Sequence, residues 1–223
     1  MIGRIALLTA ALTLAAPAVA AADAYELGFV SATRWVTSDS ADALGEDDAH
    51  HQLGVGAGIR LDGIRPFGLA LYIDAEYSHQ GMTGTTFQRI DSDMSMHSVR
   101  AGARLEHRFN DWAATYGRFS MGYVTANLRL SDELSNLARP MSDRAHGASS
   151  AIGGGLDLSL FRGKRFNVLV RTELEYERVS GLEFEASPQR PGDDILTIPV
   201  TAASLGTVDM SGFGFRLGIV GRY

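Results

Sequence analysis

Apolar and polar residues alternate along this chain in eight separate runs, the period of a β-strand with one face in an apolar medium and the other in a polar one. The run at residues 211–223 is the cleanest: Phe213, Phe215, Leu217, Ile219 and Tyr223 fall on one face, and Gly214, Arg216, Gly218, Val220 and Arg222 on the other. Residues 25–35 set Tyr25, Leu27, Phe29 and Trp35 against Glu26, Gly28, Ala32 and Arg34. Residues 51–61 set Leu53, Val55, Ala57, Ile59 and Leu61 against Gly54, Gly56, Gly58 and Arg60. In residues 67–78, Phe67, Leu69, Leu71, Ile73, Ala75 and Tyr77 oppose Gly68, Ala70, Tyr72, Asp74, Glu76 and Ser78. The fourth run opposes Val99, Ala101, Ala103 and Leu105 to Arg100, Gly102, Arg104 and Glu106. The fifth, residues 112–125, places Phe119, Met121 and Tyr123 outward and Tyr116, Arg118, Ser120 and Gly122 inward; a one-residue shift in its first half would flip those side chains. The sixth opposes Ile152, Leu156, Leu158 and Leu160 to Gly153, Gly155, Asp157 and Ser159, and the seventh opposes Phe166, Val168, Val170, Thr172, Leu174 and Tyr176 to Asn167, Arg171, Glu173, Glu175 and Glu177.

The connections alternate in length. Residues 36–50, 79–95, 126–146 and 180–206 read as long loops, whereas 62–66, 110–111 and 162–165 read as tight turns. Leu128, Leu130, Leu134 and Leu137 lie close to helical spacing and predict a short surface helix inside the third long loop. Eight strands whose connections run long, short, long predict an all-β, eight-stranded antiparallel up-and-down transmembrane β-barrel, with long loops outside the cell and short turns in the periplasm. A soluble sandwich has no reason to sort its loops by side.

Charge placement supports the same fold. The face assigned to the interior carries Arg34, Arg60, Arg100, Arg104, Arg118, Arg171, Arg216 and Arg222 together with Glu26, Asp74, Glu76, Glu106, Asp157, Glu173 and Glu175. Buried charges persist when paired, and the planar guanidinium suits bidentate pairing with carboxylates. A soluble core would not hold so many, whereas the lumen of a small barrel holds them as an ion-pair network.

Composition adds little: 223 residues, 45% hydrophobic and a net charge of -6, compatible with an ordinary soluble domain. The N-terminus adds more. Arg4, an apolar run over residues 5–16 and Ala18-Val19-Ala20 predict a cleaved signal peptide over about residues 1–20. No later run is apolar enough for a spanning helix, and the absence of cysteine leaves an exported chain without disulfides.

With this architecture, the glycine-rich Gly153-Gly154-Gly155-Leu156-Asp157 and the ending Gly214-Phe215-Arg216-Leu217-Gly218-Ile219-Val220-Gly221-Arg222-Tyr223, the sequence resembles the opacity-protein-like, OmpA-type outer-membrane barrels of Gram-negative bacteria. The resemblance implies an outer-membrane location amid lipid and lipopolysaccharide, and a closing strand read by the barrel-assembly machinery through Phe213, Phe215, Leu217, Ile219 and Tyr223. It implies possible host or cell-surface ligands for the loops, and no nucleic-acid partner.

No residue set predicts a cofactor. Glu173, Glu175 and Glu177 share one strand face and could do acid–base work, but the arginines opposite make them a salt-bridged wall. His50 and His51 could ligate a metal, but as neighbours on a strand they point to opposite faces, which makes one shared site awkward. Glu76, Ser78 and His79 are close in sequence, yet Ser78 and His79 should point apart, which speaks against a lipid-modifying triad. Five carboxylates in residues 36–50, Asp39, Asp42, Glu46, Asp47 and Asp48, suit a solvated loop, divalent cations or basic partners. The expected function is a non-enzymatic surface protein whose barrel anchors exposed loops for adhesion, envelope interaction or integrity. A narrow porin-like channel is the alternative, and a lipid-modifying enzyme the third.

Overall fold

The computed structural model describes residues 22–38, 49–61, 64, 66–86, 90–132, 141–184 and 206–223. The expected signal peptide and most of the segments 36–50 and 180–206 lie outside the described residues. Eight strands, β1 (Ala22–Val36), β2 (Ala49–Leu61), β3 (Ala70–Thr86), β4 (Ile90–Arg108), β5 (Ala113–Asp132), β6 (Met141–Arg162), β7 (Asn167–Val179) and β10 (Gly212–Arg222), pair antiparallel into a closed barrel. This is the predicted fold. Strands β8 (Leu182–Phe184) and β9 (Gly206–Val208) form a separate two-stranded hairpin. Closure comes from β1 against β10, from Glu26 opposite Arg222 to Val36 opposite Gly212.

The outward face of the barrel wall carries Phe29, Val55, Ile73, Val99, Phe119, Ile152, Leu174 and Leu217, all exposed. In water such a surface would be a liability; in hydrocarbon it is the matched face. Aromatic side chains bound it at both ends. Trp35, Tyr77, Tyr123, Tyr176 and Phe213 lie toward the long loops, and Tyr25, Phe109, Trp112, Phe161 and Tyr223 lie toward the short turns, the placement expected of interfacial girdles. At the second fringe the Phe166 and Tyr223 rings stand 4.8 Å apart.

Strands β3 to β6 are 17, 19, 20 and 22 residues long, well beyond the roughly 9–11 that span a bilayer. Along them the pattern inverts. Below the row His79, His97, Thr125 and His146, which are directly opposite one another in register, apolar residues face out and polar ones in. Above it, Met82, Met94, Met96, Ala126, Leu128 and Ala145 are buried inside, while Thr83, Asp93, Arg129 and Arg144 face outward and are exposed. The strands leave hydrocarbon at that row and continue as an ordinary water-facing sheet.

This inversion corrects the expected loops at 79–95 and 126–146 where they are described: residues 79–86, 90–95, 126–132 and 141–146 are strand, and 87–89 and 133–140 lie outside the described residues. They read as loops because the apolar set moves from odd to even positions, so the alternation looks broken where only its sign changes. The helix expected around Leu128 and Leu130 is instead the end of β5; the two are i, i+2 neighbours on one strand face, and Leu134 and Leu137 lie outside the described residues. One strand start also shifts. Phe67 does not open β3 but sits in a short 3-10 turn, Pro66–Gly68, with φ 55° and 95% exposure. The Asn110–Asp111 turn forms as expected, with the Asn110 Oδ1 accepting hydrogen bonds from the Trp112 and Ala113 backbone amides at 3.0 and 2.9 Å. The fifth strand has the unshifted register, with Tyr116, Arg118 and Ser120 inside.

Inside the wall, Gly155 is required by close approach rather than by a turn. A Cβ there would lie 1.8 Å from the Thr172 carbonyl oxygen and 2.8 Å from the Tyr116 hydroxyl.

Leu217→Arg, at the middle of the lipid face, should destabilise the barrel by about 2–4 kcal/mol in urea titrations in lipid vesicles, whereas Thr83→Arg, outward but past the inversion, should stay within about 0.5 kcal/mol. Equal losses would mean that the inversion does not mark the edge of the bilayer.

Candidate functional site

Inward positions of seven barrel strands deliver two ion-pair clusters to the lumen. Near the long-loop end, Arg34, Arg100, Arg118 and Arg216 meet Asp74, Glu76, Glu173, Glu175 and Glu177. Arg100 Nη2 contacts Glu76 Oε1 at 2.9 Å and its Nη1 contacts Glu175 Oε1 at 3.0 Å. Arg216 Nη1 donates to Glu173 at 3.0 Å and to Glu175 at 2.9 Å, and its Nη2 donates to Glu76. Arg118 holds Asp74 through Nε at 3.1 Å and Nη2 at 2.8 Å.

A second cluster lies toward the short turns. Arg104, Arg171 and Arg222 surround Glu26, Glu106 and Asp157, with Arg104 Nη2 to Glu26 at 2.6 Å, Arg222 Nη2 to Glu106 at 2.6 Å and Arg171 Nε to Asp157 at 2.7 Å. Two tyrosines pack against this cluster, and one of them reaches the first. The Arg104 guanidinium sits 4.3 Å from the Tyr72 ring centroid and 5.4 Å from that of Tyr116, and Arg171 sits 5.3 Å from Tyr116. The Tyr116 hydroxyl donates to Glu173 at 2.8 Å, so one side chain touches both groups.

Each predicted lumen residue can therefore be placed. Arg34, Asp74, Glu76, Arg100, Arg104, Glu106, Arg118, Asp157, Arg171, Glu173, Glu175, Arg216 and Arg222 are brought together in these contacts. Arg60 is half-buried near the short-turn end of β2, opposite Tyr72 in the pairing. Phe213, Phe215, Leu217, Ile219 and Tyr223 are exposed on the outward face. Arg100 and Arg104 are 1% exposed, so their desolvation must be offset by the carboxylates around them and, for Arg104, by the tyrosine rings.

Above the ions comes a polar step, where Gln52 Nε2 donates to the Ser78 hydroxyl at 2.7 Å, and then an apolar cap. Met82, Met94, Met96, Val124, Ala126 and Leu128 pack with Leu182, Phe184, Val208 and Met210 of the β8–β9 hairpin and its flank. The hairpin is tied down at its base: the Ala148 amide donates to the Ser180 hydroxyl at 2.7 Å, and Arg34 donates to the Met210 carbonyl. Arg34 also pairs with Glu177 at 3.0 Å, linking cap to network. Sequence reasoning missed this cap. Its signal was the run of methionines at even positions, Met82 and Met94 in the stretch read as a loop and Met96 just past it.

Side chains thus fill the lumen. Among the described residues a void of about 50 Å³ remains between the charges, lined by Gly28, Gly56, Gly58 and Gly218 on one wall and by Asp74, Arg118 and Arg171 among the charged residues. It has room for a few waters. Oxygens of Glu26, Glu106 and Asp157 lie within 4.8 Å of one another, as a cation would require, but Arg104, Arg171 and Arg222 already supply the positive charge there. Glu76 and Ser78 are buried in the lumen and His79 is on the outer face, so the three do not converge. His50 and His51 likewise part, one inward and one outward.

The family described as outer membrane protein beta-barrel domain matches residues 5–180 of the sequence. No curated protein matches the chain in sequence. Among solved structures, Neisserial surface protein A is similar at 10% identity with a TM-score of 0.55, over 89% of this chain and 97% of that one. A major outer membrane protein from Thermus thermophilus is similar at 11% identity with a TM-score of 0.53, over 89% and 99%. The attachment invasion locus protein of Yersinia pestis, solved with the heparin analogue sucrose octasulfate, is similar at 16% identity with a TM-score of 0.51, over 90% and 98%. At these identities the likeness is one of fold.

Arg216→Met leaves Glu76, Glu173 and Glu175 short of a cation and should cost about 3–5 kcal/mol in denaturant unfolding of the vesicle-embedded protein. Adding Glu76→Gln should cost about 0.5–3 kcal/mol less than the sum of the single changes, the coupling expected within one network. Strict additivity would show that the two side chains do not act together.

Proposed function

Because the chain belongs to the outer membrane protein beta-barrel domain family, whose members sit in the outer membrane of Gram-negative bacteria, we propose that it is a non-enzymatic surface protein. Its barrel anchors a rigid extracellular platform and exposed loops that make adhesive or envelope contacts. The observation that carries this reading is the inversion on β3 to β6. Past it, β3 runs on through residues 80–86, some 20 Å of strand at about 3.3 Å per residue, with Met82 buried inward and Thr83 exposed outward. A barrel that only filled the membrane would not extend this sheet or build an apolar cap to stiffen it.

The alternative as a channel has less support. Ion pairs, Tyr72, Tyr116 and the capped apolar cluster occupy the lumen in series, and the void left among the charged side chains is only about 50 Å³. The reading as a lipid-modifying enzyme lacks a convergent nucleophile and base at Ser78 and His79. Export would use residues 1–20, and assembly would read the aromatic β10 face that includes Phe213 and Tyr223.

Charge narrows the partner. Residues 36–50 carry five carboxylates and neither Lys nor Arg, which favours cationic surfaces over sulfated glycans such as the analogue seen with the Yersinia pestis neighbour.

Bacteria expressing the full protein should bind a cationic, polylysine-coated surface or basic matrix proteins more than cells lacking it. Replacing Asp39, Asp42, Glu46, Asp47 and Asp48 by Asn or Gln should remove that gain while the heat-dependent gel shift of the folded barrel persists. Equal binding with and without the protein, across cationic and sulfated ligands, would overturn the adhesive role. In planar bilayers the purified protein should give no conductance above background, and reproducible single-channel steps would favour the porin-like reading instead.

A further inference from the structure

At the row where the wall leaves hydrocarbon, each long hairpin repeats one device. On β3–β4 the Tyr77 and His97 rings stack diagonally across the strands, 6.1 Å apart with planes 21° from parallel. On β5–β6 Tyr123 and His146 do the same at 5.7 Å and 19°. The two hairpins differ in the residue opposite. Thr125 faces His146, whereas His79 faces His97 directly in register, so β3–β4 alone of these two brings a pair of imidazoles together on the outer surface.

We propose that this pair is a metal site: His79 and His97 hold a divalent transition-metal ion of the copper or zinc class between their rings, with water completing the coordination and Tyr77 fixing the His97 ring. Imidazole is the ligand such ions share, and neighbouring cross-strand positions put two of them on one side of the ion. A metal–nitrogen distance of about 2.0–2.1 Å places each ring centroid about 3.2 Å from the ion, so two imidazoles bound at about 90–110° have centroids about 4.5–5.3 Å apart. The His79 and His97 centroids are 4.7 Å apart, with planes tilted by 34°. Strand register puts the two residues opposite each other, and their rings already stand at a centroid separation that suits the ion.

Two further features suit the role. The Tyr77 hydroxyl is 2.8 Å from His97 Nδ1, which occupies that nitrogen and leaves Nε2 for the ion, the kind of outer partner that orients metal-bound histidines. The neighbouring outward positions are small: Gly81 lies next to His79 along β3, Ser95 faces it from β4, and a Cβ built on Gly81 would meet nothing within 4 Å. Water therefore reaches the pair from the extracellular side. Neither residue was singled out as a ligand from sequence, because 18 positions separate them and only the β3–β4 register joins them.

The full-length protein, folded in detergent micelles and free of any histidine tag, should bind one Cu2+ per chain in calorimetric titration, with Zn2+ binding more weakly in line with the Irving–Williams order. The electron paramagnetic resonance spectrum of the Cu2+ form should show coupling to two imidazole nitrogens. His79→Gln and His97→Gln should each abolish the one-to-one site, Tyr77→Phe should weaken it about tenfold with the stoichiometry unchanged, and His146→Gln should leave it intact. The heat-dependent gel shift verifies that each variant is folded, and the two-nitrogen signature of the unsubstituted protein is a readout independent of every variant. No Cu2+ binding, coupling to a single nitrogen, or equal loss in His79→Gln and His146→Gln would overturn the assignment and leave the pair as stacked interfacial side chains.

Discussion

A sheet immersed in hydrocarbon can leave none of its backbone amides and carbonyls unpaired, and the pairing of β1 with β10 is what meets that demand here. Closure then dictates the rest. With eight strands the interior is just wide enough for side chains to fill, and each inward residue must fit against those from the opposite wall. Gly28, Gly56, Gly58 and Gly218 line one side of the lumen, and this is the side that Arg104, Arg118, Arg171 and Arg216 reach toward. Long side chains and missing ones are two halves of one packing solution.

The filling is charged, which is costly in principle. Each buried arginine loses water and must regain its interactions from carboxylates at hydrogen-bond distance. The network meets this by sharing: Arg216 reaches three glutamates, and Glu26 is reached by Arg104, Arg171 and Arg222. Tyr72 and Tyr116 offer ring faces to guanidinium groups, and Tyr116 bridges the two clusters through its hydroxyl on Glu173. The outcome is a rigid interior with little free space, and the functional surfaces are left to the exterior.

The exterior has two regimes separated by one row of residues. Below it the outer face matches lipid; above it the same strands bury methionine, valine and leucine inward and show polar groups to water. The β8–β9 hairpin packs onto the apolar cluster of this upper compartment. The platform so formed, and the histidine pair at its base, sit where lipid, water and neighbouring surfaces meet.

Much of this was legible in the sequence. The period-2 runs determined strand number, facing and closure, because a strand's side chains alternate whatever its tertiary setting, and the sign of each face follows from the medium it meets. The lumen residues could be read for the same reason: Arg100, Arg104 and Glu106 share parity on one strand. Which arginine meets which carboxylate was not legible, since those pairs cross the lumen between residues up to 196 positions apart, as Arg222 and Glu26 are. Nor was the extent of β3 to β6, because alternation carries no label for the point at which hydrocarbon gives way to water, and the inverted pattern of residues 79–95 looks the same as its loss. The cap and the His79–His97 pair were decided only by tertiary structure: hairpin register set the imidazoles opposite each other, and chain return over the mouth brought Leu182 and Met210 onto Met82 and Met94.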